Sequence, residues 1–419
     1  MVIKDIKIID ILQDGRGVGR TDTKIAFIEK AIFGETCHIK VNNEKKNFYE
    51  AEKIKTSKKS PYYRKPPCPY YNECGGCSIM DINYETQIDL KKNLIKNAIE
   101  KLANIRIDKI ELEKSPEFFY RNKIRLKVDR KGRLAYNKKY SNDLVLIKDC
   151  LLARDIIRDN LEEIEKLTMD ISQKYPESIS EISIRTNNKE IMLNLTINNE
   201  KANSYIKKNY INSNFHINLI TDNSLVNISG KDYLLYKIDK NKFKISLNDF
   251  YQVNDFMVDK LYKIAKSNLD KDKKILDLFC GSATSSIAIN KDHIIGVEIN
   301  KNAIKDANEN AKLNELNDYK FIAKNANFIN QKFIKENNVE AVVLDPPRAG
   351  LSKEIIKTIS KTNIEKVVYI SCNPQTLARD INRFQNNGYK MKNIRAVDMF
   401  PQTMHVESVV LMTRVAHTK

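Results

Sequence analysis

Cys372 ends the apolar run VVYIS within YISCNPQTLARD, where a strand would give way to a helix starting near Pro374. A helix N-terminus and a nearby cation such as Arg379 lower a thiol's pKa, and the exposed thiolate that results is a nucleophile. The competing reading is a small buried apolar cysteine, which suits Cys37 and Cys280. A second centre lies upstream, where the strand KILDLF runs into CGSATSS and Glu298 closes the next strand, HIIGVE. An acid in that place accepts the two hydroxyls of a ribose, so an adenosyl ligand fits. Position 283, where a second glycine would ease close backbone approach, is Ala283. A third centre is Cys68, Cys74 and Cys77 in PPCPYYNECGGC, with Cys150 as the natural fourth ligand. Tetrahedral zinc and an iron–sulfur cluster fit that spacing equally well.

LDPPR, Leu344 to Arg348, sets a carboxylate at a further strand end. Amino-group methylases use a similar turn with an aromatic residue after the prolines. Arg348 in that place argues against an exocyclic amine as methyl acceptor.

The elements that must position these residues fall into three parts. Residues 1–56 read as short alternating strands broken by GRGVGR, a small β-barrel pattern, and the Pro-, Ser- and Lys-rich stretch 55–69 reads as a linker. Residues 57–244 read as an α+β middle domain, with one amphipathic helix over 84–102 and another near 153–170. Residues 245–419 alternate apolar strands with helices, the signature of a doubly wound α/β sheet.

The chain has 419 residues and 42% apolar content, enough for two or three cores. No apolar run is long enough to span a membrane, and MVIKDIKIID has no apolar signal core, so a cytoplasmic protein is expected. Seven cysteines there argue for metal binding or catalysis over disulfides. The net charge of +18 suits a polyanionic partner, although 56 of the 72 basic residues are Lys and part of the excess follows an AT-rich codon bias. Placement is more telling: residues 121–139 hold nine basic residues and one acid. Arg121, Lys123, Arg125 and Lys127 share one face of a strand, a density suited to phosphates. Lys53, Lys55, Lys58, Lys59, Arg64 and Lys65, with Tyr62 and Tyr63, form a second stretch on which unpaired bases could stack.

SCNPQTLARD, FPQTMHVE (Phe400 to Glu407) and DFYQVN (Asp249 to Asn254), in this arrangement around such a sheet, resemble the S-adenosylmethionine-dependent RNA uracil-5-methyltransferase family. GRGVGR in a small barrel is similar to a TRAM domain, an OB-like RNA-binding module. The resemblance implies a Rossmann-like catalytic domain in which Cys372 adds to uracil carbon 6 and Glu407 removes the carbon 5 proton, its pKa raised in a dry cleft. For S-adenosylmethionine it implies Gln252, Phe279, Glu298 on the ribose, Asn325 near the adenine, and Asp345 between the methionine end and the base.

One branch of this family carries a [4Fe–4S] cluster with the spacing of Cys68, Cys74, Cys77 and Cys150, so the resemblance implies a cluster in the middle domain. It implies 23S ribosomal RNA as substrate and a monomer without obligatory protein partner. Transfer RNA is the alternative substrate. A catalytically silent RNA-binding assembly factor is a further alternative, disfavoured by intact Cys372 and Glu407.

Overall fold

Alternation of isoleucine with charged residues from Val2 onward gives a strand with one inward face, and Ile6, Ile8 and Ile11 take it. The computed structural model describes residues 1–221, 224–270, 273–290 and 292–415. Strands Val2–Ile11, Gly17–Arg20, Ile25–Glu29, Phe48–Lys58 and Thr36–Glu44 pair in that order and close into a barrel. GRGVGR supplies its shortest strand, Gly17–Arg20. A Cβ on Gly19 would lie 2.4 Å from Ile6 Cγ2, and one on Gly17 would lie 2.8 Å from Ala31 Cβ. Lys55 and Lys58 thus lie on a strand that runs on to Lys58, past residue 56.

The chain divides into two compact units. One comprises Met1–Leu94, Tyr136–Ile147 and Phe400–Val406 and contains the barrel, whose core also takes in Ile79, Ile82, Leu90 and Met404. Its buried acid, Glu35, is matched by Lys53 at 2.7 Å and by Thr56 and the Ile32 amide. Lys53 is therefore a structural cation. Arg64 is another, donating to the Met80 carbonyl and to Gln402 Oε1 at 2.9 and 2.8 Å.

The other unit comprises Ile95–Ala135, Lys148–Met399 and Glu407 onward. Its first sheet runs Leu225–Ser229, His216–Ile220, Ile191–Ile197, Ile179–Thr186, Lys123–Val128. Helices Asp155–Asp159 and Leu161–Lys174 stand where one helix is expected, parted at Asn160. The second sheet orders its strands Tyr319–Ala323, Ile294–Glu298, Ile275–Leu278, Ala341–Leu344, Lys366–Ser371, Glu407–Arg414, Tyr389–Val397 and Glu111–Glu113. The first five are parallel, and strand order reverses between Ile275–Leu278 and Ala341–Leu344, which opens a crevice at the carboxyl ends. Among the described residues no helix is long and apolar enough to cross a membrane.

Gly132 fixes the turn after Lys123–Val128. It has φ +84°, and a Cβ would meet Thr168 O and Met169 Cα at 2.5 Å. Gly132→Ala should therefore cost about 2–3 kcal/mol, read as a fall of about 5 °C in the thermal unfolding of this unit.

Candidate active site

Antiparallel pairing of Lys366–Ser371 with Glu407–Arg414 sets Ser371 opposite Ser408. One step further along this register Cys372 comes abreast of Glu407. Strands Ile275–Leu278 and Ala341–Leu344 run parallel and end level, Leu278 beside Leu344, so Phe279 and Asp345 emerge together. Glu298 ends the neighbouring strand and Asn325 follows the one beyond it. The sheet edge thus collects nucleophile, base and cofactor candidates from consecutive strands.

Burial pushes Glu407 up to about 8, with Asp345 adding to the shift and Arg348 opposing it. Burial pushes Asp345 up to about 7, with Asp277 contributing. For Cys372 burial is again the largest cause, and with Glu407 raising and Arg348 lowering, the thiol reaches about 11. The expected depression of this thiol is reversed. Asn373 caps the helix Pro374–Gln385 and takes the Gln375 amide at 3.1 Å, so that amide is already engaged. Arg379 is bound to Asp380 and to the Ala349 carbonyl, each at 2.9 Å. Arg348 is the cation that acts on the thiol.

Asp380 explains the rest of the TLARD sequence. It is fully buried, accepts the Leu351 amide and the Tyr369 hydroxyl at 2.8 and 2.9 Å, and pairs with Arg383 at 3.0 Å. The Arg348 carbonyl accepts from Asn373 Nδ2 and Thr376 Oγ1, both at 3.1 Å. Gly350, at φ +74°, makes this docking feasible, since a Cβ would lie 2.5 Å from Asp380 Oδ2. The loop after Asp345 is thereby clamped to the helix after Cys372.

On the cofactor side, Phe279 and Ala283 both have left-handed backbones, φ +72° and +62°. The absent glycine at 283 thus costs backbone strain of about 1 kcal/mol. Gly281 faces open space, with nothing within 4 Å of a Cβ position. Glu298 accepts the Gly281 and Asn300 amides at 3.3 and 2.9 Å. Beneath the loop Asp277, pushed up to about 6 by burial, accepts the Ser285 and Ser286 hydroxyls at 3.0 and 2.6 Å. Gln252 is buried with Oε1 unpartnered, as is Ser282 Oγ. Asn122 fixes the Gln252 carbonyl at 3.0 Å and Asp255 at 2.6 Å. Asn325 uses its oxygen to cap its own turn through Asn327 at 2.9 Å. An open cradle, a ribose-height carboxylate and orphaned buried polar atoms fit an adenosyl ligand with a charged tail. Asn122, Asp277 and Asp380 went unassigned in the sequence. The strand-end position of Asp277 and the motif place of Asp380 were the available signals.

The basic strand has its expected faces, with Ile124, Leu126 and Val128 buried. Its cations are partly engaged, however: Arg125 and Lys127 both reach Glu181 at 3.1 Å. Lys123 is pushed down to about 7, by burial first and then by Arg185 and Arg125. Arg121 lies just outside the strand, bridged to Ala153 and Asn254. Cys68, Cys74, Cys77 and Cys150 are half-buried, and the Gly76 amide points at Cys74 Sγ, 3.4 Å away. These soft donors suit iron or zinc. Among the described residues, however, no three His, Cys, Asp or Glu side chains are gathered as a metal group, so the cluster is not established by the structure.

The electrostatics fix the signs for thiol reactivity. Alkylation of Cys372 by iodoacetamide, followed by peptide mass spectrometry, should accelerate with pH up to about 11. At fixed pH, Arg348→Gln should slow it and Glu407→Gln should speed it, each several-fold.

Residues 83–415 match the family described as tRNA (Uracil-5-)-methyltransferase. An uncharacterized RNA methyltransferase of Aquifex aeolicus is 32% identical over 419 residues, covering 96% of this chain and 96% of the relative. Another, from Bacillus cereus, is 30% identical, covering 98% and 96%. The solved Pyrococcus abyssi tRNA (uracil-54, C5)-methyltransferase, in complex with S-adenosyl-L-homocysteine, shares the fold: TM-score 0.74 at 23% identity, over 97% of this chain and 100% of that one. With most of its length matched, the chain belongs to the tRNA (Uracil-5-)-methyltransferase family, whose S-adenosylmethionine-dependent enzymes methylate carbon 5 of uracil in RNA.

Proposed function

We propose that this protein methylates carbon 5 of a uridine in 23S ribosomal RNA, acting in the cytoplasm as a monomer, with Cys372 as nucleophile and Glu407 as base. The observation that carries the reading is the register that sets Cys372 abreast of Glu407 at the crevice. S-adenosylmethionine, held by Gln252, Phe279, Glu298, Asn325 and Asp345, supplies an electrophilic methyl group. Cys372 loses its proton to solvent with the help of the Arg348 charge, and its sulfur adds to carbon 6, making carbon 5 electron-rich. Addition moves the negative charge onto the uracil as an enolate; carbon 5 then takes the methyl group and S-adenosylhomocysteine leaves, so neither thiolate nor enolate remains beside Glu407 and its carboxylate form is favoured. Glu407 then takes the carbon 5 proton after methylation, and the electron pair left behind expels the Cys372 thiolate.

The barrel and the face carrying Arg121, Lys123, Arg125 and Lys127 contribute RNA binding in this reading, and the uridine leaves its stack to reach the crevice. A transfer RNA substrate is the second reading, favoured by the fold shared with the P. abyssi enzyme. One assay addresses both. Transcripts of 23S ribosomal RNA fragments and of transfer RNA, carrying 5-fluorouridine, are incubated with S-adenosylmethionine and run on a denaturing gel. A shifted band is expected with ribosomal RNA and not with transfer RNA. Fluorine cannot leave as a cation, so the covalent adduct persists; trapping that survives Cys372→Ala would remove Cys372 from the mechanism.

The proposal includes a [4Fe–4S] cluster on Cys68, Cys74, Cys77 and Cys150, supported by the all-thiolate donor set and the amide directed at Cys74. Protein purified without oxygen should be brown and carry about four irons per chain. Stoichiometric zinc would reverse the assignment.

A further inference from the structure

Three residues before Gln252, Asp249 is buried, and it meets Asp306 of the helix Lys301–Leu313, which is also buried. Asp306 Oδ1 is taken by Lys244 Nζ at 3.2 Å. Its Oδ2 has no donor, and neither has Asp249 Oδ2. Two carboxyls in contact, each with one oxygen unsatisfied, are complete when one proton lies between them; without it two anions meet in a low dielectric.

The contact joins two walls of the cofactor site. Asp249 and Gln252 share one segment, which Arg185 grips through the Asp249 carbonyl at 2.7 Å. The Asp306 helix begins at Asn300, whose amide donates to Glu298, and its Asn310 donates to the Ser282 carbonyl of the glycine loop at 2.9 Å. We propose that Asp249 and Asp306 share a single proton that latches the Gln252 segment onto the helix bracing Glu298 and the glycine loop, making cofactor affinity proton-linked. Both are positioning residues, and the inference rests on the S-adenosylmethionine site assigned above.

The surrounding charges set the balance. Lys244 holds Glu309 as well as Asp306, at 2.6 and 3.2 Å, so the cation lies on the Asp306 side of the contact and the proton on the Asp249 side. Burial first, then Asp306, pushes Asp249 up to about 7, against Arg185 and the Ser246 backbone. Tyr236 and Tyr251 also act on Arg185. When the segment lifts, Asp249 returns to an ordinary carboxylate. The latch is therefore strongest below the usual carboxylate range, weakens as pH rises toward 7, and changes no further above it.

Binding of S-adenosylhomocysteine to the full chain by calorimetry from pH 5 to 8.5 tests this. Wild-type Kd should rise on the order of tenfold between pH 5 and 7, then level. Asp249→Asn supplies a permanent N–H in place of the proton, so its profile should be flatter than wild type, with Kd near the low-pH value throughout. Asp306→Asn, the mirror substitution, should flatten it too. Because Asp277, Asp345 and Glu407 titrate in the same site, the comparison with the variants isolates the pair. Parallel profiles for wild type and both variants would overturn the latch. Absence of S-adenosylhomocysteine binding by wild type at every pH would instead overturn the cofactor site itself.

Discussion

The antiparallel pairing of Lys366–Ser371 with Glu407–Arg414 governs which side chains meet at the crevice, because a ladder's register is all or nothing. A slip of one residue would send Cys372 and Glu407 to opposite faces of the sheet. Pairing is deep in the core, with Val367, Val368, Tyr369, Ile370, Val409 and Val410 all buried, so close packing on both faces holds the register that the proposed chemistry needs. The same burial has an electrostatic consequence. Thiol and carboxyl are brought together where neither ionises readily, and Arg348 tempers the cost for both.

Asp380 extends that constraint to the neighbouring loop. By gathering the Leu351 amide, Tyr369 hydroxyl, Arg379 and Arg383, it converts a surface turn into an extension of the sheet. A buried carboxylate with this many donors is fully compensated, and it specifies one loop position. Arg348 therefore approaches the site from a fixed anchor.

Much of this was legible in the sequence. Apolar strands alternating with helices announced the doubly wound sheet, and the barrel followed from isoleucine alternation around GRGVGR. SCNPQTLARD and FPQTMHVE marked Cys372 and Glu407. The direction of the thiol's pKa was not legible, because it depends on a partner brought in by a distant strand and on Arg379 being spent on Asp380. Likewise, Lys53 reads as a surface cation until Glu35 is found beneath it, and Arg64 until its guanidinium is seen on Met80 and Gln402. Local patterns report periodicity and caps. They do not report which charges meet across the fold.

Glu181 gives the last example a wider meaning. It sits between Arg125 and Lys127 on the face best suited to a polyanion, so that face is already occupied by an internal competitor. Any phosphate arriving there must displace a tethered carboxylate, and cations already neutralised release fewer counterions than their number suggests. In the proposed RNA-binding role of this face, Glu181 would set a threshold: a weak polyanion would not repay the exchange, whereas a strand anchored elsewhere would.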